Sequence, residues 1–231
     1  MELIKNTPEL LVFKTEASEN LANAIRRSVN DVSSVAIDEV EFVKNDSALY
    51  DEVLAHRIGL IPLKTNKKMS TKTEVTLKLQ KKGPCTVYSG DLEGGTDVVF
   101  KEIPLTILED GQEIEFSAFA RLGKGSEHTK YAPGMCYYRH ILEVKSDPKI
   151  DKIVQEAKSV LKPVKKGSNW VCDLDEGVVS EIEKINSNSV KDKDELIFFV
   201  ESFGQMDAKD ILKASIDALG KNLDEFEKFF K

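Results

Sequence analysis

At 231 residues the chain exceeds one average domain of about 100 to 200 residues, so two or three modest modules are expected. It is 41% apolar and 32% charged, and no apolar run nears the roughly 20 residues of a bilayer span, which excludes a membrane-spanning helix. A net charge of −7 repels a polyanion, so any contact with nucleic acid is expected to be local or made by partners. Residues 1–6 contain an acidic residue and no apolar segment with a small-residue cleavage site, so a cytoplasmic location is expected. Cys85, Cys136 and Cys172 are odd in number and far apart. They fit neither a disulfide framework nor a C-x-x-C ligand pair and read as free, buried or half-buried thiols.

In chain order, Leu10, Leu11, Val12 and Phe13 form a short apolar strand within residues 9–14. A helix follows. Ser18 suits its N-cap, Glu19 suits its positive start, and Leu21, Ala24, Ile25, Ser28, Val29 and Val32 fall on one face. Val35, Ile37, Val40, Phe42 and Val43 then mark a second strand over 35–44. Residues 50–58 read as a short helix, with Gly59 expected in the left-handed conformation at its end and an extended Leu60-Ile61-Pro62-Leu63 after it. Lys64, Lys67, Lys68 and Lys72 give a basic loop before the alternating strand Val75, Leu77, Leu79.

Ile103, Leu105 and Ile107 alternate up to Asp110-Gly111, and Ile114, Phe116 and Ala118 alternate away from it, a hairpin pattern. Residues 135–144 form a further strand, so the middle of the chain is expected to be one antiparallel β module. Asp147-Pro148 reads as a turn, followed by a helix through Ile153, Ala157, Val160 and Leu161 that Pro163 stops. A polar turn at 165–169, a strand at 170–174, a helix at 178–185 and a linker at 186–194 come next. Leu196 to Val200 is a buried strand, and Asp207 caps the last helix. On that helix Leu212, Ile216, Leu219, Leu223, Phe226 and Phe230 are spaced four, three, four, three and four apart, a heptad-like seam. Ile211, Ala218 and Phe229 widen it. The seam packs on the chain's own strands or meets a partner helix, and periodicity leaves both open.

Several stretches resemble a known family. Asn23-Ala24-Ile25-Arg26-Arg27, Ala36-Ile37-Asp38-Glu39-Val40, and the run from Leu54-Ala55-His56-Arg57-Ile58-Gly59 to Leu60-Ile61-Pro62-Leu63 look like successive signatures of the alpha-type assembly subunit of DNA-directed RNA polymerase. Phe199-Val200-Glu201-Ser202-Phe203-Gly204 with the last helix, and the loop from Gly123-Lys124-Gly125-Ser126 to Tyr131-Ala132-Pro133, favour its archaeal and eukaryotic branch, on the side of the archaeal D-type chains. The resemblance spans nearly the whole chain. It implies an α+β fold with a discontinuous α/β dimerisation domain from both chain ends (1–46 and 190–231), a mainly antiparallel β insert domain (47–145) and a small ferredoxin-like module (146–189).

It further implies a non-catalytic scaffold. The dimerisation helices would meet a smaller homologous partner, subunit L, through Leu21, Ile25, Val29, Ile211, Leu212, Ile216, Leu219, Leu223, Phe226 and Phe230. Small subunits N and P and the large catalytic subunits would dock on the resulting platform, the latter near Asn23, Arg26, Arg27, His56, Arg57, Gly59 and Pro62. Many members hold an iron–sulfur cluster in the ferredoxin-like module through clustered cysteines. Here residues 147–174 contain only Cys172, so no cluster is expected, and Ile153, Val160, Leu161, Trp170 and Ile182 are expected to hold the module by packing.

Read without the resemblance, the chemical candidates are sparse. Gly123-Lys124-Gly125-Ser126 lacks the full G-x-x-x-x-G-K-[ST] spacing of a phosphate loop. His56, His128 and His140 lie in three segments with no metal-ligand spacing, and no aspartate triplet suits magnesium, so no metal and no catalytic residue is expected. The seven lysines of 64–82 read as a solvated loop, with contact to DNA or another subunit as the alternative. A homodimeric bacterial-type assembly subunit is the runner-up, set against by the insertion read at 147–185. A small-molecule enzyme using His128 as acid or base is the remote third.

Overall fold

The computed structural model describes residues 1–66, 69 and 74–230, so the expected basic loop at Lys67, Lys68 and Lys72 lies outside the described residues. The strands are β1 (Glu2–Asn6), β2 (Leu10–Thr15), β3 (Ser33–Asn45), β4 (Val75–Lys82), β5 (Cys85–Tyr88), β6 (Glu93–Gly94), β7 (Pro104–Leu108), β8 (Glu113–Lys124), β9 (Gly134–Lys145), β10 (Val164–Lys166), β11 (Asn169–Cys172) and β12 (Val190–Ser202). The helices are α1 (Glu19–Ser28), α2 (Asp51–Gly59), α3 (Pro148–Glu156), α4 (Glu176–Ile185) and α5 (Ala208–Lys228).

Two separate stretches of chain build the larger sheet, in the order β1-β2-β12-β9-β11-β10 with every pairing antiparallel. β12 sits between β2 and β9, because Leu196 to Val200 are apolar on both faces and need cover on both. On one face Leu11, Phe13, Cys136, Leu196, Phe198 and Val200 pack with Ala22 and Val29 at α1 and Ala208 and Ile211 on α5. Phe13 and Tyr138 stack on Phe198 with ring centroids 5.3 and 5.6 Å away. Val144 lies eight residues beyond Cys136 on β9, so strand alternation puts it on that same face. There it meets Trp170, Cys172, Ile150, Val154 and Ile182, so that α3 and α4 cover this end. Val12, Ile141, Val171, Ile197 and Phe199 form a second buried layer on the opposite face, with Leu161 packed against it.

The middle of the chain forms a four-stranded antiparallel sheet, β3-β8-β4-β6, beside the two-stranded β5-β7. Ile37, Leu77, Ile114 and Phe116 from the sheet and Leu54 and Ile58 from α2 fill its core. Gly204, with φ +100°, forms one junction between the two bodies: a side chain there would lie 2.3 Å from Val99 Cγ1. Around it Lys64 Nζ donates to the Gly204 carbonyl (2.8 Å), Thr65 N to the Gln205 carbonyl (2.9 Å) and Phe203 N to the Pro133 carbonyl (3.0 Å).

Several sequence expectations need correction. β3, grouped with the N-terminal piece, pairs with β8 and belongs to the middle sheet. β9, grouped with the middle module, pairs with β12 and β11. The strands flanking Asp110-Gly111 are not hairpin partners: β7 pairs with β5, whereas β8 lies between β3 and β4. Alternation identifies a strand and its faces but not its neighbour. Gly59 is not left-handed; it closes α2 against β3, its missing side chain 3.7 Å from the Ile37 carbonyl.

Asp147-Pro148 starts α3 rather than making a turn, since the Asp147 side chain accepts from Lys149 N and proline suits the first helical turn. α3 stops at Glu156, well short of Pro163, and Val160 is exposed rather than part of the module's core. The expected linker at 186–194 contains the first part of β12, whose polar residues hid a strand that pairs through Val190, Lys191 and Asp192 with β9.

Candidate interaction surfaces

α1 forms because Ser18 caps it, its side chain accepting from Leu21 N, and because Ala22, Ile25 and Val29 lie on one side. It packs beside α5 on the large sheet. The contact splits the expected interface residues into two groups. Ile211 is fully buried and Val29 nearly so, which places both in this chain's own core beneath the surface. Ile25 and Leu212 pack half-buried at its margin, and Leu219 is also half-buried.

Leu21, Ile216, Leu223, Phe226 and Phe230 are exposed, the last three by 60%, 61% and 76% of their surface, and Phe229 stands out further. Every described residue from Gly220 onward is exposed, so the second half of α5 reaches beyond the chain's own core. An Asn222 side-chain amide donating to Asp31 Oδ2 at 3.2 Å ties it back to the loop after α1. Phe226 and Phe230 meet edge to face at 5.1 Å, one helical turn apart. Full burial of each such side chain would contribute roughly 1.5–3 kcal/mol.

The expected docking residues occupy two places. Asn23 and Arg26 on α1 are joined, the Asn23 side-chain oxygen accepting from Arg26 Nε (3.1 Å) and Nη2 (2.9 Å). Arg26 and Arg27 are exposed at the basic end of the helix, where positive charge suits the dipole. His56 and Arg57 lie at the same end of α2, which packs on β3 and β7 in the other body. Arg57 Nη2 donates to the Pro104 carbonyl at 2.5 Å, and the Pro62 carbonyl accepts from Val99 N at 2.9 Å, fixing the strand that leaves α2. The two groups are thus placed on different sheets.

A third feature was not singled out from sequence: Asp38, at the centre of Ala36-Ile37-Asp38-Glu39-Val40. Its carboxylate accepts from Arg121 Nε (2.6 Å), Lys130 Nζ (2.7 Å) and the Tyr131 hydroxyl (3.1 Å). The Lys130 hydrogen bond, followed by that of Arg121, holds its carboxyl well below the usual range. Burial, then the bond to Asp38, pushes the Tyr131 phenol up to about 12. Tyr131 lies over Gly123, where a side chain would come within 2.6 Å of the ring. Gly123 and Asp38 therefore close the 123–133 loop on itself, and the loop reaches the large sheet through Gln205 Nε2 donating to the Ala132 carbonyl at 3.2 Å. This accounts for the glycine-rich stretch without a phosphate. No sequence spacing links Asp38 to Lys130.

His128 serves as a turn cap, its Nδ1 accepting from Lys130 N at 3.1 Å. An open groove of about 830 Å³ between α5 and the middle body is lined, among the described residues, by charges of both signs, including Asp31, Lys64, Lys124, Lys213 and Asp217, and by no histidine. Neither feature assembles an acid–base site. Cys136 and Cys172 are buried thiols pushed up to about 12 by burial. Cys172 faces Val144, Trp170 and Ile182 in an apolar core, a setting that supplies one neutral thiol where a cluster needs several thiolates. The donor set does not fit an iron–sulfur group. Among the described residues no helix is long and apolar enough to cross a membrane.

Residues 35–136 match the family described as the RNA polymerase Rpb3/RpoA insert domain, a span that runs from β3 to the start of β9. The chain is 35% identical to DNA-directed RNA polymerase subunit Rpo3 of Pyrococcus horikoshii, covering 98% of this chain and 95% of that one. It belongs to the Rpo3 family of RNA polymerase subunits. The Rpo3 of Thermococcus kodakarensis is 31% identical, covering 97% and 95%, and that of Methanocaldococcus jannaschii 32% identical, covering 94% and 88%. The archaeal alpha-type resemblance read from the motifs is thereby shown at the level of the family, and with it a place in transcription. The mixed α+β fold with mostly antiparallel sheets agrees with that family.

Proposed function

We propose that this chain is the alpha-type assembly scaffold of an archaeal DNA-directed RNA polymerase, with no catalytic residue of its own. The single observation that supports it most is the second half of α5, an exposed apolar helix end carried on a sheet built from both chain ends. Such a surface suits a helical face of a smaller homologous subunit, L, and the pair would then present a composite platform to the large catalytic subunits and to the small subunits N and P. Leu21, Ile216, Leu223, Phe226 and Phe230 are the residues available to that partner, with Ile25, Leu212 and Leu219 at the margin. Val29 and Ile211 act by shaping the surface from below.

In domain terms the reading keeps a discontinuous dimerisation unit, an insert and a small module. Strand pairing supports bounds near residue 33 and residue 133 for the insert, and the small module of 146–189, with its own apolar cluster, joins the edge of the dimerisation sheet through β11. The module holds no iron–sulfur cluster in this reading. Arg26, Arg27 and Arg57 offer cations for carboxylates on a large subunit, with His56 beside Arg57. DNA contact is indirect or local, and the protein works in the cytoplasm.

Co-expression with the small subunit, followed by light scattering of the purified product, tests the proposal. A one-to-one complex is expected, with the chain self-associating when made alone. A monomer that ignores the small subunit contradicts it, and a stable homodimer would favour the bacterial-type arrangement.

A further inference from the structure

His140 lies on β9 where β12 bulges. The pairing runs Asp192 with Leu142 and then Leu196 with His140, so residues 193–195 of β12 bow out of the ladder. The bulge releases the Lys193 carbonyl, which turns to His140 Nδ1 at 2.7 Å. On the other side of the ring, Nε2 lies 3.0 Å from Glu19 Oε1 in the first turn of α1. Both neighbours are acceptors. A neutral imidazole carries one N–H and can satisfy only one of them, whereas an imidazolium donates to both.

We propose that a protonated His140 pins the first turn of α1 to the β9–β12 bulge, making the seating of that helix pH-dependent. The tie joins three segments distant in sequence and reaches the helix that bears Arg26 and Arg27. Charged groups around the ring are Glu19 from α1 and Asp192 from β12, both favouring the cation. The Lys193 ammonium is engaged by Glu195 at 3.1 Å, and Glu195 also meets Lys14 of β2 at 2.6 Å. The Lys193 carbonyl and the Glu19 contact outweigh partial burial and raise the proton affinity of the ring above the ordinary histidine value. Stabilisation from the tie is therefore complete below the unfolded-state value of 6.5 and is lost as pH rises through the higher folded-state value. On deprotonation the ring keeps its N–H toward the partly buried carbonyl. Nε2 then presents a lone pair to Glu19, and the first turn of α1 is released.

The test is a pH titration of the full chain, labelled at the histidine rings and followed by NMR, with amide exchange of residues 19–22 measured in parallel. His140 should titrate above 6.5, and exchange in the first turn of α1, corrected for intrinsic pH dependence, should rise several-fold across the same interval. Glu19→Gln changes an exposed side chain and spares the fold; it should lower the His140 midpoint and flatten the exchange profile. A His140 midpoint at or below 6.5, or first-turn exchange that ignores the titration in wild type, overturns the proposal.

Discussion

The two halves of α5 meet opposite fates. In residues 208–215, Ala208, Ile211 and Ser215 are sealed against β12 and α1 on the stripe beside the heptad-like seam, whereas from residue 220 onward the seam itself carries Leu223, Phe226 and Phe230 into the open. Helical periodicity fixes which side of a helix is apolar, but the neighbour on that side changes along the axis. The first half is an intramolecular core element. The second half, on the reading proposed above, completes its burial only in an assembly.

That contrast can be broken by substitution. Ile211→Ala removes a fully buried side chain and should destabilise the chain by about 2–5 kcal/mol in chemical denaturation, whether or not a partner is present. Phe226→Ala, near the other end of the helix, should shift stability of the isolated chain by no more than about 0.5 kcal/mol while weakening binding to the small subunit by roughly 2 kcal/mol, near thirtyfold, in titration calorimetry. Equal losses of intrinsic stability at the two sites would erase the distinction between them.

Away from α5, Asp38→Asn tests whether the 123–133 loop is a built structural feature. Loss of the charged bonds from Lys130 and Arg121 should destabilise the chain by about 1–3 kcal/mol at neutral pH. Because the folded-state pKa of Asp38 lies below its ordinary 3.8, the wild-type advantage is present above that value and should shrink as pH falls through the folded-state pKa. A smaller effect, about 0.5–1 kcal/mol, is expected for Arg57→Ala, which removes one hydrogen bond to the Pro104 carbonyl at the surface.

Local features were readable before the structure: the Ser18 cap, the apolar strands at Leu10 to Phe13 and Leu196 to Val200, and the start of α5 after Asp207. Each depends on residues within a few positions of one another. What escaped depends on partners far away in sequence. Alternation marks β3 and β9 as strands yet points to the wrong sheets, because Ile37 and Cys136 alternate identically whichever strand lies beside them. The early half of β12 was missed because Lys191, Asp192 and Asp194 mask a strand whose pairing is supplied by β9. At the surfaces, the family motifs fall on α1 and α2, but only the packing separates Ile211 from Phe226 on α5, and no local pattern connects Asp38 to Lys130 across 92 positions.

Hydrogen exchange along α5, in the chain diluted until it is monomeric and in complex with the small subunit, tests the central claim most directly. Amides of residues 208–215 should be protected in both states, and those of residues 220–228 should gain protection of at least about tenfold only in the complex. Protection of 220–228 already complete in the isolated monomer, or unchanged when the partner binds, would contradict the account.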